Sequence, residues 1–176
     1  YAGKLAANKG VQFLLPALDA AQVRWPLVVV GDGPMREQLE ADARRRGREV
    51  RWLGWRDRPE VLDAMRATTV LAFPSYGPES LSRVLIEASA LGLPIAAMDT
   101  GGTSDIIQPG DTGLLAATPD AFARDLARLV ADPALRARLG AGAAAHARAH
   151  FDAPRVAARV DAVYESLIAP RRGGHP

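Results

Sequence analysis

Glu79 and Glu87 stand eight positions apart in the stretch Glu79-Ser80-Leu81-Ser82-Arg83-Val84-Leu85-Ile86-Glu87. Carboxylates that bracket a helix start can each accept hydrogen bonds from vicinal hydroxyls. The unpaired backbone N–H groups of Leu81, Ser82, Arg83 and Val84 between them would attract an anion. Hydroxyls on either side of a phosphate are the chemistry of a sugar-nucleotide. Read as architecture alone, Glu79 would only complement the helix dipole and Glu87 would be a surface charge. The lysines weigh toward a ligand. Of 22 basic residues, Lys4 and Lys9 are the only lysines, and both follow the first predicted strand beside Gly3. Two compact cations on that loop suit a diphosphate lying against a helix N-terminus.

The elements that must position these residues alternate along the chain. Tyr1–Gly3 reads as the tail of a strand, and Leu27–Val30, Val50–Leu53, Thr69–Phe73, Pro94–Met98 and Gly113–Leu115 read as further strands. Their continuous apolar character is that of strands buried on both faces. Helical patterns fall between and after them: Pro34 to Gly47, Pro59–Met65, Ser80–Leu91, Asp120–Val130, Pro133–His150 and Pro154–Ile168, with a frayed ending at Pro170–Pro176. Such alternation predicts an α/β, three-layer Rossmann-like domain with a mainly parallel sheet of about six strands. In an open parallel sheet ligands sit outside the carboxyl ends of the strands. Gly3-Lys4, Gly31–Gly33, Trp55–Asp57, Pro74–Glu79 and Gly101-Gly102 all fall on that edge.

Composition bounds the rest. The 176 residues suit one domain, 48% hydrophobic and 24% charged, and no apolar run approaches the roughly 20 residues of a membrane span. Cysteine is absent, so there is no disulfide framework and no cysteine nucleophile. A cytoplasmic location is the expectation, with peripheral membrane contact of a longer protein left open. Because it starts at Tyr1 without a methionine or a leader, the sequence reads as an excised piece. Net charge is +2 with a pI near 9.4. The cluster Arg44, Arg45, Arg46, Arg48 and Arg51 lacks the aromatic platform of a nucleic-acid surface, so no nucleic-acid partner is expected.

Other chemistries fit less well. Gly31-x-Gly33 follows a strand, but Arg36 occupies the third glycine of a dinucleotide fingerprint. No Gly-x-Ser-x-Gly elbow is present. His146 and His150 have i, i+4 spacing without the Glu of a His-Glu-x-x-His site, and are expected as exposed helix residues. No metal site is expected, since no Asp-x-Asp is present to hold a divalent cation on a diphosphate.

Taken together, Gly3-Lys4-Leu5 with Lys9-Gly10, Gly31-Asp32-Gly33-Pro34, Leu53-Gly54, Pro74-Ser75, Glu79-x7-Glu87-Ala88, Gly92-Leu93-Pro94 and Gly101-Gly102 resemble the C-terminal domain of the group 1, or family 4, glycosyltransferases. The resemblance spans nearly the whole chain. It implies the donor-binding half of a GT-B enzyme that transfers a hexosyl group from a nucleotide-diphosphate sugar with retention and without a metal or other cofactor. By that resemblance Glu79 and Lys9 are catalytic, Glu79 on the donor sugar and Glu87 on the ribose. Lys4 and Lys9 grip the diphosphate, and the base lies against backbone near Trp55 and Arg56. The acceptor-binding N-terminal domain would be a separate part of the same protein, so the isolated chain is expected to bind donor without turnover. The sequence departs from the family at Leu81-Ser82, where Phe-Gly is common, and at Lys4, where arginine is common. Alternatives are a non-catalytic nucleotide-binding module or another GT-B enzyme such as a sugar-nucleotide epimerase.

Overall fold

A computed structural model describes residues 1–168; the frayed ending expected at Pro170–Pro176 lies outside them. Five strands form, Leu27–Val30 (β1), Val50–Gly54 (β2), Leu71–Phe73 (β3), Ile95–Met98 (β4) and Leu114–Ala116 (β5). All pairings are parallel: β1 with β2, and β4 between β3 and β5. Successive side chains of a strand point to opposite faces, and the core divides accordingly. Ile95 and Ala97 of β4 join Leu85 and Ala88 in one cluster, whereas Ala96 and Met98 join Leu15, Leu18, Phe122 and Leu126 in the other. Both faces are therefore covered. Leu14–Ala20 (α1) and Pro119–Ala131 (α6) pack on one side, and Arg58–Arg66 (α3) with Arg83–Ala90 (α4) on the other. This is the doubly wound, Rossmann-like α/β arrangement read from the alternation.

The expected sheet of about six strands is five strands plus a rung, with hydrogen bonding divided between a β1–β2 sheet and a β3–β4–β5 sheet. Ala2 bridges Val30 in parallel, and the Tyr1 ammonium donates to the Val28 carbonyl at 2.9 Å. The Tyr1–Gly3 strand is reduced to this bridge. Between it and β3 lies a cavity of about 250 Å³ lined by Tyr1, Val28, Val70, Ala72 and Leu126.

Helix starts follow their caps. Asp57 and Glu60 form a capping box at α3, and Thr118 and Asp132 cap α6 and Pro133–His150 (α7), each followed by a proline in the first turn. Arg36–Arg45 (α2) leads into the arginine cluster, where Arg46 and Arg48 each reach Asp19 at 2.5 Å. Two helices were unread in the sequence: α1, and the short Thr103–Ile106 (α5). The last helix, Ala153–Ile168 (α8), buries none of its residues, and Val156, Val160, Val163, Tyr164 and Leu167 are exposed along it. No helix among the described residues is long and apolar enough to cross a membrane.

Candidate active site

Helix α4 starts later than its apolar spacing predicts. Ser82 is the N-cap in extended conformation, and its hydroxyl oxygen accepts from the Leu85 amide at 3.5 Å. Serine is a much stronger cap than the Leu81 before it. The expected helix start at Ser80 is thereby moved to Arg83. Arg83 and Val84 occupy the first turn with N–H groups that have no intrahelical acceptor. Leu81 lies outside the helix with an exposed side chain, and Ser82 is the cap itself.

In front of that turn opens a cavity of about 650 Å³. Its walls are the carboxyl ends of β1 and β2, the segment after the Ala2 bridge, and the N-termini of α3 and α4. Of the residues singled out in the sequence, Gly3, Lys4, Trp55, Arg56, Arg83, Val84 and Glu87 line it. Trp55 is 74% exposed. Glu87 lies in the second turn of α4, mostly buried, and accepts from Arg58 Nε at 2.6 Å.

Glu79 and Lys9 do not line this cavity. They form a cluster between the loop joining β3 to α4 and the short helical turn Ala7–Lys9, in which Lys9 Nζ and Glu79 Oε1 are an ion pair and the buried Ser75 hydroxyl donates to the same oxygen at 2.6 Å. The backbone behind Glu79 is gripped as well, since its carbonyl accepts from the Gly102 amide at 2.8 Å. Gly101 has φ +50°, and a Cβ there would sit 2.2 Å from that carbonyl oxygen, which explains the glycine pair. Gly10 has the same kind of constraint, with φ +65° and a Cβ position 1.8 Å from the Pro74 carbonyl oxygen. Lys9 is thus held against the β3 loop by its own neighbour.

Charge also reaches Tyr1. Its hydroxyl donates to the Lys4 carbonyl at 2.8 Å, and its pKa is raised by burial and then by the negative charge of Glu79. Sequence reasoning missed Tyr1, Arg58 and the part played by Ser75. The first two carried no signal in their type or spacing, while Ser75 stood in a noted motif without an assigned partner. His146, expected exposed, is half-buried, with its ring centroid 4.4 Å from that of His150. Burial lowers its pKa, followed by the charge of His150.

A doubly wound parallel sheet with its cavity at the strand carboxyl ends is the nucleotide-binding architecture of GT-B glycosyltransferases, and solved structures agree. The chain superposes on Anabaena Alr3699/HepE in complex with UDP-glucose with a TM-score of 0.81 and 27% identity, covering 94% of this chain and 48% of that one. The profile of the family described as Glycosyl transferases group 1 matches residues 1–132, and the chain belongs to that family. D-inositol 3-phosphate glycosyltransferase of Corynebacterium glutamicum (strain R) is 34% identical over 182 residues, 96% of this chain and 43% of that protein. Phosphatidyl-myo-inositol mannosyltransferase of Mycobacterium leprae (strain TN) is 34% identical over 165 residues, 91% and 44% respectively. The chain spans less than half the length of each of these relatives.

Proposed function

We propose that residues 1–176 are the donor-binding domain of a retaining, metal-independent family 4 glycosyltransferase, which moves a hexosyl group from a nucleotide-diphosphate sugar to an acceptor. The observation that carries this reading is one cavity faced by Lys4, the open amides of Arg83 and Val84, and Glu87, together with the Glu79–Lys9 cluster. The diphosphate lies at the first turn of α4 between Lys4 and Lys9. An ammonium has three donors, so Lys9 keeps Glu79 and still reaches phosphate. Glu87 accepts from ribose hydroxyls, Trp55 and Arg56 flank the base, and Glu79 accepts from the sugar.

In the transfer, the bond between the anomeric carbon and the β-phosphate oxygen breaks and a bond to the acceptor oxygen forms. The acceptor's proton leaves with the nucleoside diphosphate. Negative charge grows on the departing phosphate, and fixed cations and helix amides stabilise it without reorganising. The absence of an Asp-x-Asp supports lysines in place of a metal ion. The acceptor wall of the cleft belongs to a separate domain of the longer protein, so this chain alone binds donor without turning it over.

Calorimetry with UDP, GDP and ADP, and with the corresponding sugar donors, tests the roles. Glu87→Ala weakens the bare nucleoside diphosphate by roughly tenfold, the loss of about 1.5 kcal/mol for a charge-assisted hydrogen bond. Glu79→Ala leaves the bare nucleotide nearly unchanged and weakens the sugar-bearing donor. Equal losses for both ligands in both variants contradict the assignment.

A further inference from the structure

Arg58 has no part in the reading so far, yet its placement is unusual. It is the first residue of α3, where the helix dipole is positive and a cation is disfavoured by about 0.3–1 kcal/mol. The helix does not need it as a cap, because Asp57 and Glu60 supply a complete capping box. Its guanidinium instead crosses to α4, where Nε donates to Glu87 Oε1 at 2.6 Å. Among the described residues this is the one side-chain partner of Glu87. The side chain of Glu87 is 16% exposed and that of Arg58 71%, so the carboxylate is enclosed and the arginine covers it from the solvent side. Both line the same cavity.

We infer that Arg58 is a positioning residue for the nucleotide: it fixes the Glu87 carboxylate by one oxygen and leaves Oε2 to accept from a ribose hydroxyl. This rests on the nucleotide reading above. A carboxylate on a flexible side chain loses rotamer freedom when it binds a diol, and a partner that holds it beforehand removes that cost. The same pairing offsets the charge of Glu87 near a diphosphate. Arginine suits the task, since its planar fork keeps one orientation where an ammonium would not.

The test is titration of the wild-type chain, Arg58→Ala, Arg58→Lys and Glu87→Ala with whichever of UDP, GDP and ADP the wild type binds, and with its 2′,3′-dideoxy counterpart. Arg58→Ala weakens the ribonucleotide by roughly five- to tenfold, the size of one charge-assisted hydrogen bond. Arg58→Lys recovers part of the loss. The dideoxy ligand binds wild type and Arg58→Ala within about twofold, and Arg58→Ala adds nothing in the Glu87→Ala background. Circular dichroism reports that each variant is folded. Equal weakening of both ligands overturns the inference in favour of a direct phosphate contact. Tighter ribonucleotide binding by Arg58→Ala overturns it in favour of a lock that competes with the ribose, and unchanged binding makes the pair an ordinary surface ion pair. If the wild type binds no nucleotide at all, the donor-site reading fails first and Arg58 has nothing to position.

Discussion

His146 is half-buried on α7 with its ring centroid 4.4 Å from that of His150, and burial, followed by the charge of His150, lowers its pKa from the ordinary value of 6.5. Its sign is that of a depressed imidazole. Well above pH 6.5 neither the folded nor the unfolded chain carries the proton, and below it the unfolded chain takes up a proton that the folded chain excludes, so stability falls as pH falls. Denaturant titration of the wild type and of His146→Gln at pH 8 and 5.5 checks this. The variant loses part of the pH dependence, and an identical pH dependence in both chains contradicts the account. Of the residues that matter chemically, the sequence exposed those with rare types or motif spacing. Lys4 and Lys9 stood out among the arginines, and Glu79 and Glu87 by their interval. Tyr1 and Arg58 did not, because one is defined by where a strand rung ends and the other by a contact 29 residues away.

At the scale of elements, the proposed contact with the donor sugar sits on the β3–α4 loop, and glycines of other loops hold that loop. Gly101 has the left-handed φ that side chains disfavour, and a Cβ there would clash with the Glu79 carbonyl oxygen at 2.2 Å. Gly101→Ala therefore destabilises the chain by roughly 1–3 kcal/mol, a fall of several degrees in melting temperature, and displaces Glu79 so that the sugar-bearing donor loses affinity. Thermal melts and donor titration check both. A variant with unchanged melting and donor affinity contradicts the packing described. The elements themselves were mostly readable. Buried parallel strands announce themselves as apolar runs, and α7 matches its sequence bounds because Asp132 and Pro133 mark its start. Helix α1 was readable in principle, since Val11, Leu14, Leu15 and Leu18 recur at helical spacing and Pro16 falls in its first turn, where the missing N–H costs nothing. The late start of α4 was hidden because Leu81 continues the apolar period while Ser82 captures the cap.

For the whole molecule, parallel strands gather loops that are distant in sequence at their carboxyl ends. Lys4, Arg58 and Glu87 line the cavity of about 650 Å³, while Lys9, Ser75 and Glu79 form a hydrogen-bonded cluster apart from it. The proposed ligand would lay its nucleotide end in the first and its sugar end against the second. That division was only partly legible in the sequence, which placed both glutamates around one helix start and did not separate their surroundings. The apolar stripe of α8 is exposed, and the chain covers 43% and 44% of the two relatives. A crystal structure of the chain with the nucleoside diphosphate it binds tests the central claim most directly. The account predicts the diphosphate at the Arg83 and Val84 amides beside Lys4, with the ribose on Glu87. A nucleotide bound elsewhere, with Glu87 still facing only Arg58, would contradict it.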